Sequence, residues 1–246
     1  MLLTVCVNGA RTPEDHPALV ADPATIAADA ARAIAAGAGE VHVHAKRPGG
    51  RDSLRAEDVA RWLRAFRAAL PGVRIGLTTG AWAAGSSAER LAQVRAWEAL
   101  PDLVSVNWHE EGAEEVADLL LERGVEVEAG LWSPAAARAW ARSPLAQGCH
   151  RALVELPDLP AGEIRPAAEA VLVELAAAQR RPPVLLHGEE RSTWTATLLA
   201  LEMGLGTRIG LEDTLTLPDG TRAASNAELV ERCLDFLGID PSDMPS

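Results

Sequence analysis

Eight short runs of apolar and β-branched residues alternate with eight longer alanine-rich runs, and no other feature of this chain restricts its fold as strongly. The predicted strands are 2–9, 40–46, 74–80, 103–108, 126–132, 150–156, 183–189 and 208–214. The predicted helices are 23–37, 54–70, 86–100, 111–123, 134–143, 161–180, 191–203 and 223–237. A strand followed by a helix, repeated at roughly thirty residues, is typical of βαβ units in a parallel sheet.

Eight such units in 246 residues predict an α/β protein with a (β/α)8 barrel, also called a TIM barrel. The rival fold is an open doubly wound sheet, which normally has a glycine-rich phosphate turn after its first strand. Here that turn reads CVNGARTPEDHP and contains one glycine. No Pro-, Ser- or Gly-rich linker separates the two halves, so we expect residues 1–246 to form a single domain.

Charge and cysteine content exclude several classes of protein. The formal net charge of −12 argues against a nucleic-acid-binding surface, although an acidic protein can hold a local basic pocket for a phosphorylated ligand. No stretch reaches the roughly eighteen apolar residues of a membrane helix, and the start lacks the basic residues of a signal peptide. Cys6, Cys149 and Cys233 form no CxxC pair, which is typical of the reducing cytoplasm. We therefore expect a cytoplasmic protein without nucleic-acid or membrane partners.

In a barrel of this kind the reactive groups lie at the carboxyl ends of the strands. Polar residues occur at most of these ends, and the interior strand positions before them are predicted to be apolar. The polar residues are Asn8, His42, His44, Thr78, Thr79, Ser105, Asn107, Glu128, Glu155, His187, Glu189, Arg208, Glu212 and Asp213. Such a ring of polar groups predicts a binding or catalytic site at one end of the barrel.

His42 and His44 form the most specific pair, because alternate residues of a strand face the same side. Two imidazoles on one strand face can bind a borderline metal such as Zn²⁺, or they can form hydrogen bonds within the barrel mouth. Glu212 is the preferred third ligand, as the last inward-pointing residue of strand 8, near strand 2 in a closed barrel. Glu128 and His187 compete for that role.

Arg208 and its neighbour Asp213 each have two possible roles. A buried guanidinium must be paired, so Arg208 could clamp a substrate carboxylate or form an ion pair with Glu212. Asp213 could equally be a turn or helix-capping residue.

Three further groups offer possible substrate contacts. Thr78 and Thr79 in the TTGAW turn present hydroxyls and backbone amides to an anion, although an ordinary loop has the same composition. Ser105 and Asn107 could bind substrate or link neighbouring strands. The basic cluster of Lys46, Arg47 and Arg51 could bind a phosphorylated coenzyme or form a solvated loop.

The chain resembles the beta-keto acid cleavage enzymes, the family of the 3-keto-5-aminohexanoate cleavage protein. The similarity covers nearly the whole chain and includes NGAR, AGAGEVHVHAK, TTGAW, PDLVSVN, VEVEAG, RIGLEDTLTLPDG and SNAELV. The combination of HVH in strand 2 with RIGLED in strand 8 is specific, whereas either motif alone would be weak.

This resemblance implies a barrel with a divalent metal, usually Zn²⁺, held by His42, His44 and Glu212. It also implies that acetyl-CoA is condensed with a β-keto acid and that the adduct is cleaved to acetoacetate and a new acyl-CoA. We expect the enolate of the acetyl methyl group to attack the keto carbon. Relatives are oligomers, so a homo-oligomer is expected.

The family's other functional groups fall on residues of strands 3, 4, 5 and 8. They are Thr78, Ser105, Glu128, Arg208 and Asp213. Because a guanidinium is a poor base, Arg208 is expected to orient charge, with Asp213 tuning it or taking the proton.

Two departures from the family pattern concern the substrate more than the reaction. The family often has an acidic residue where this chain has Arg11, so we do not expect a substrate amine to be bound there. The segment after the histidines commonly continues with Arg-Asp, and here it continues with Lys46-Arg47.

The main alternative is a metal-dependent amidohydrolase-type barrel, which also contains a His-x-His pair. That class places the pair on its first strand and needs further histidines at the ends of strands 5 and 6. Here the pair lies on strand 2, strand 5 ends in AGLW, and His150 begins strand 6. A non-enzymatic binding barrel is the third possibility, and it predicts neither bound metal nor turnover.

Overall fold

The computed structural model describes residues 1–178 and 182–240. The eight strands are β1 Leu3–Cys6, β2 Glu40–Val43, β3 Arg74–Thr78, β4 Leu103–Asn107, β5 Glu126–Leu131, β6 Arg151–Leu156, β7 Val184–Gly188 and β8 Thr207–Ile209. The eight α-helices are α1 Pro23–Ala35, α2 Ala56–Ala69, α3 Ser87–Arg95, α4 Ala113–Glu122, α5 Pro134–Arg142, α6 Ala161–Leu175, α7 Thr193–Glu202 and α8 Asn226–Leu237.

The strands form one parallel sheet that curls into a barrel. Its order is β7-β6-β5-β4-β3-β2-β1-β8, so each strand pairs with its neighbours in sequence and β1 pairs with β8. A parallel bridge between Leu185 and Gly206 joins β7 to the segment before β8, which brings the two edges of the sheet together. The predicted (β/α)8 barrel is therefore confirmed.

Local sequence signals define several helix starts. Asp22 accepts a hydrogen bond from the backbone N–H of Thr25 (2.8 Å) immediately before α1, whose first residue is proline. Ser133 and Ser225 cap α5 and α8 in the same way. These side chains satisfy amide groups that would otherwise lack partners in the first turn.

Several predicted helices and strands are longer than those in the structure. Helix 86–100 ends at Arg95, and helix 161–180 ends at Leu175, with residues 179 and 180 outside the described residues. Strand 8 ends at Ile209 because the N–H groups of Asp213 and Thr214 both bond to the carbonyl of Gly210 and form a turn.

The interior of the barrel is not purely apolar, contrary to the prediction from the strand sequences. Arg151 on β6 pairs with Glu40 on β2 and with Glu128 on β5. Because β2 and β6 are not neighbours in the sheet, these side chains must meet inside the barrel. All three are buried, so each charge is compensated by ion pairing rather than by water.

The helices show no membrane-crossing character. Within residues 1–178 and 182–240, none is both long enough and apolar enough to span a bilayer.

Candidate active site

A cavity of about 310 Å³ opens at the carboxyl ends of the strands. Several of the predicted polar residues line it: His42, His44, Thr78, Ser105, Asn107, Arg208 and Glu212. The cavity therefore lies at the end of the barrel where the sequence predicts a site, the end to which the strands point.

His42, His44 and Glu212 meet at the floor of this cavity. Glu212 Oε1 lies 3.8 Å from His42 Nε2 and 3.5 Å from His44 Nε2. One donor atom from each side chain falls within 4.8 Å of the other two, and no other group of His, Cys, Asp or Glu among the described residues is so arranged. Glu212 lies in the turn after β8 and not on the strand, so the prediction that it is the strand's last inward-pointing residue was wrong.

Two residues fix the position of His44. Asn8, at the end of the first strand run, bonds to the backbone of His44 in both directions, at 2.8 and 2.9 Å. Asp52 Oδ2 lies 2.8 Å from His44 Nδ1, which directs Nε2 toward Glu212. Asp52 was missed in the sequence because it lies in a loop eight residues later, where no periodicity marks it.

The three side chains differ in charge. Burial lowers the pKa of His42 to about 3, so its imidazole is neutral at pH 7. Burial alone would also lower the pKa of His44, but Glu212 and Asp52 raise it to about 9. Burial would raise the pKa of Glu212, yet His44 above all holds it well below its usual value. Glu212 Oε2 is buried without a hydrogen bond among the described residues.

Arg208 lies beneath this group and is 2% exposed. Its guanidinium lies 3.5 Å from Glu128 and 3.3 Å from Glu212, and its Nε donates to Cys6 Sγ at 2.8 Å. Arg208 therefore links the charged interior of the barrel to the cavity. Glu128, bound by Arg208 and Arg151, does not line the cavity.

Asp213 is buried beside His187 and does not line the cavity either. Its Oδ1 lies 3.0 Å from His187 Nδ1, but the atoms are not aligned as a hydrogen bond. The other imidazole nitrogen of His187 faces Glu155 Oε2 at 3.3 Å. Burial alone would lower the pKa of His187, and Arg208 adds to this, but Asp213 and Glu155 raise it to about 9.

Thr79 is the one predicted substrate contact that points away from the cavity. Its hydroxyl donates to the carbonyl of Ser105 (2.8 Å) and accepts from Arg90 (3.3 Å), so it connects β3 to β4. Asn107 lines the cavity with its Nδ2 donating to Glu110 (3.0 Å).

Three glutamates line the cavity without having been predicted as site residues: Glu155, Glu189 and Glu190, the last of which pairs with Arg11. Glu155 has one carboxylate oxygen, Oε1, that is buried without a hydrogen bond. Glu189 makes no side-chain hydrogen bond or ion pair among the described residues, and burial raises its pKa to about 7. Glu155 and Glu189 were predicted only as polar residues at strand ends, because the sequence does not show which carboxylate oxygens are left without a hydrogen bond.

Arg11 and Lys46 are both tied to neighbouring residues. Arg11 bonds to the carboxylate of Glu190 (2.6 Å) and to the carbonyl of Glu212 (3.0 Å). Lys46 is 1% exposed and donates to Asp52 (2.6 Å) and to the carbonyl of Gly9 (2.7 Å). Lys46 therefore supports the His44 loop and does not belong to a solvent-facing basic cluster.

The histidines expected of an amidohydrolase-type site are not placed for it. His150 precedes β6 and pairs with Glu126 (3.0 Å), at the first residue of β5. Both therefore lie at the amino ends of the strands, opposite the cavity.

Comparison with known proteins agrees with this architecture. The family model described as beta-keto acid cleavage enzyme matches residues 1–238. The 3-keto-5-aminohexanoate cleavage enzyme of Fusobacterium nucleatum subsp. nucleatum is 25% identical over 246 aligned positions, covering 94% of this chain and 89% of that enzyme.

Solved structures with the same fold are more distant in sequence. A ternary complex of ObcA with a C4-CoA adduct and oxalate has 16% identity and a TM-score of 0.67, covering 90% of this chain. This chain spans only 64% of that ObcA chain. The 3-dehydroquinate dehydratase of Geobacillus kaustophilus HTA426 has 13% identity and a TM-score of 0.63. The match covers 96% of this chain and 90% of the dehydratase chain. At these identities the likeness concerns the fold alone.

Proposed function

The chain belongs to the beta-keto acid cleavage enzyme family, and we propose that it joins a β-keto acid to acetyl-CoA and cleaves the adduct to acetoacetate and a new acyl-CoA. The observation that carries the proposal is the grouping of His42, His44 and Glu212 on the floor of the barrel-end cavity. The ObcA complex with a C4-CoA adduct and oxalate supports a CoA thioester and a small carboxylic acid as the reactants.

We propose His42, His44 and Glu212 as ligands of a divalent metal, most simply Zn²⁺. The donor set fits, because two imidazoles and a carboxylate are ordinary zinc ligands. The buried Glu212 Oε2 lacks a hydrogen bond, and a bound cation would compensate it. Asp52 provides the carboxylate that commonly orients a metal-binding imidazole. When bound, the metal would act as a Lewis acid toward the keto and carboxylate oxygens of the substrate.

Atom balance identifies the carbon that must become nucleophilic. In the proposed products, acetoacetate contains the acetyl group of acetyl-CoA and carbons 1 and 2 of the β-keto acid. The new bond therefore joins C2 of the keto acid to the acetyl carbonyl carbon. The bond from C2 to C3 breaks, and the CoA sulfur passes from the acetyl carbon to C3. The proton to be removed is on C2, which replaces the expectation that the acetyl methyl group loses it. C2 takes a proton back when its bond to C3 breaks, so that the product is acetoacetate.

Arg208 is the proposed group for orienting the negative charge that develops on the substrate. It lines the cavity and stays protonated, and Glu128 on its far side fixes its position. Asp213 does not line the cavity and lies 3.0 Å from His187, so we propose that it tunes the charge around Arg208 and does not take the C2 proton itself.

Thr78, Ser105 and Asn107 are the proposed substrate-binding residues, because all three line the cavity. Thr79 is left out, since its hydroxyl is occupied by Ser105 and Arg90. We further propose that residues 1–246 act as one catalytic domain in a cytoplasmic homo-oligomer. The family resemblance supports the oligomer, and the three free cysteines support a reducing compartment.

Metal analysis combined with an assay for acetoacetate tests the proposal. The purified protein should contain about one metal ion per chain and should form acetoacetate from acetyl-CoA and at least one member of a panel of β-keto acids. His42→Ala, His44→Ala and Glu212→Gln should lose both the metal and at least 1,000-fold in rate. His150→Ala, at the other end of the barrel, should keep both. Full metal content and activity in the three site variants would exclude this site, and hydrolysis of amides or esters without a CoA product would favour the hydrolase.

A further inference from the structure

A second cavity, of about 760 Å³, adjoins the candidate active site. The two cavities share Ala10 and Trp82, so Trp82 forms part of the wall between them. Its indole stacks on His44, with ring centroids 5.9 Å apart, and its N–H donates to Asp52 (2.9 Å). A ligand in the second cavity therefore lies next to the wall of the first.

Three arginines line this second cavity: Arg47, Arg51 and Arg55. None of their guanidinium groups makes a hydrogen bond or ion pair among the described residues. Most arginines in the described part of the chain have such partners, as Arg67 has in Asp102 and Arg165 has in Glu202.

No carboxylate among the described residues forms an ion pair with these arginines. Asp52 is held by His44 and Lys46, and Glu89 accepts from the backbone of Gly85 and from Gln93. Glu14 is the one carboxylate of this cavity's lining without a side-chain partner among the described residues. Glu89 keeps its charge because both of its donors are neutral, so three arginines face two uncompensated carboxylates, Glu14 and Glu89. The cavity therefore keeps a net positive charge, on a protein whose net charge is −12.

The loop between Arg47 and Arg51 leaves room for a ligand close to the backbone. Gly49 and Gly50 have φ angles of 99° and 86°, which glycine adopts without strain. A Cβ at Gly49 would meet nothing within 4 Å, and one at Gly50 would meet only Ala21. The cavity is more than twice as large as the active-site cavity, so it has room for a nucleotide as well as a small acid.

We infer that Arg47, Arg51 and Arg55 bind the phosphate groups of the nucleotide end of coenzyme A, with the pantetheine arm passing Trp82 into the active site. This inference rests on the proposed use of acetyl-CoA. Guanidinium groups suit phosphate because they donate paired hydrogen bonds to two oxygens at once. The proposed phosphate site differs from the basic cluster predicted from the sequence. It does not include Lys46, and it includes Arg55.

The test compares whole and truncated co-substrates. Arg51→Gln and Arg55→Gln should each raise the KM for acetyl-CoA roughly tenfold, the scale expected for one charged hydrogen bond. The KM for acetyl-pantetheine, which has no nucleotide, should not change, and neither should kcat. Arg64→Gln, an exposed position on α2, is the matched control and should match the unaltered protein.

A binding measurement separates this inference from the proposed reaction. Adenosine 3′,5′-bisphosphate should bind the unaltered protein in calorimetry and should bind Arg51→Gln and Arg55→Gln roughly tenfold more weakly. Weaker binding in these variants without any turnover of acetyl-CoA would support the phosphate site and overturn the reaction. Turnover of acetyl-CoA with an unchanged KM and unchanged bisphosphate binding would keep the reaction and overturn the site.

Discussion

His44 occupies an electrostatic position quite different from that of His42, two residues away. Both are buried, but only His44 has a carboxylate on each side, Glu212 beyond Nε2 and Asp52 beyond Nδ1. This difference separates their pKa values, to about 3 for His42 and about 9 for His44. Without a metal, His44 is therefore the proton-bearing member of the proposed ligand set at pH 7.

Metal affinity should consequently depend on pH through His44. Below pH 9 a metal must displace the proton on Nε2, so the apparent affinity should rise about tenfold per pH unit from pH 6 to 8 and level off near 9. Competition with a chelator of known affinity measures this dependence. Asp52→Asn removes a carboxylate that raises the pKa of His44, so its plateau should begin at lower pH. A metal affinity that does not change from pH 6 to 8 would contradict the assignment of the displaced proton to His44.

Glu189 should reduce stability at neutral pH. Its pKa is about 7 in the folded protein and near 4.5 when unfolded, so the folded state binds the proton more tightly. The protonated carboxyl of Glu189 therefore favours the folded state, and this contribution is complete below pH 4.5 and is lost as the pH rises through 7. Glu189→Gln should therefore raise the free energy of unfolding by about 1–3 kcal/mol at pH 8, with little change at pH 4. Denaturant unfolding at both pH values measures the difference, and an equal effect at both would refute it.

At the scale of elements, the ends of the strands decide what the barrel can do. The alternating pattern was sufficient to predict eight strands and eight helices, because each unit has its own periodicity and caps. It could not predict where β8 ends, since that depends on a close contact between strands. A Cβ on Gly210 would lie 1.9 Å from the carbonyl oxygen of Cys6, so the chain turns there and Glu212 follows in the turn.

Gly9 makes a similar close approach, and changing it should affect the site more than the fold. Its φ is +53°, and a Cβ would lie 2.6 Å from Cγ of Glu212. Gly9→Ala should lower metal affinity at least tenfold while costing about 1–2 kcal/mol of stability. Gly124→Ala is the matched control, with a φ of +75° and nothing within 4 Å, and it should lose similar stability but no affinity. Metal titration and thermal unfolding of both variants measure the two effects, and equal affinities would contradict the role given to Gly9.

At the scale of the whole molecule, a buried chain of charges runs through the barrel to the cavity. It passes from Glu40 through Arg151, Glu128 and Arg208 to Glu212, and so connects β2, β6, β5 and β8. These ion pairs could not be predicted from the sequence. A charged residue inside a strand gives the same sequence pattern whether its side chain pairs across the barrel or faces solvent. The location of polar residues around the cavity at the strand ends was predictable, since it follows from the fold alone.

Breaking this chain of charges should destabilise the whole barrel. Arg151→Leu leaves Glu40 and Glu128 buried without their shared cation, which should cost roughly 3–5 kcal/mol in the free energy of unfolding. Arg138→Leu removes an exposed ion pair with Glu174 and should have no measurable effect. Denaturant titration compares the two variants. A loss as small for Arg151→Leu as for Arg138→Leu would show that the interior charges are not structurally coupled.

The fate of the acetyl carbons distinguishes carbon–carbon bond formation from simple hydrolysis of the thioester. The purified protein would be incubated with a β-keto acid and acetyl-CoA labelled with ¹³C at the carbonyl carbon, and the products examined by NMR. The proposed reaction predicts the label at the keto carbon of acetoacetate, none in the new acyl-CoA, and no product from His44→Ala. Label found only in acetate or remaining in acetyl-CoA would contradict the proposed carbon–carbon bond formation.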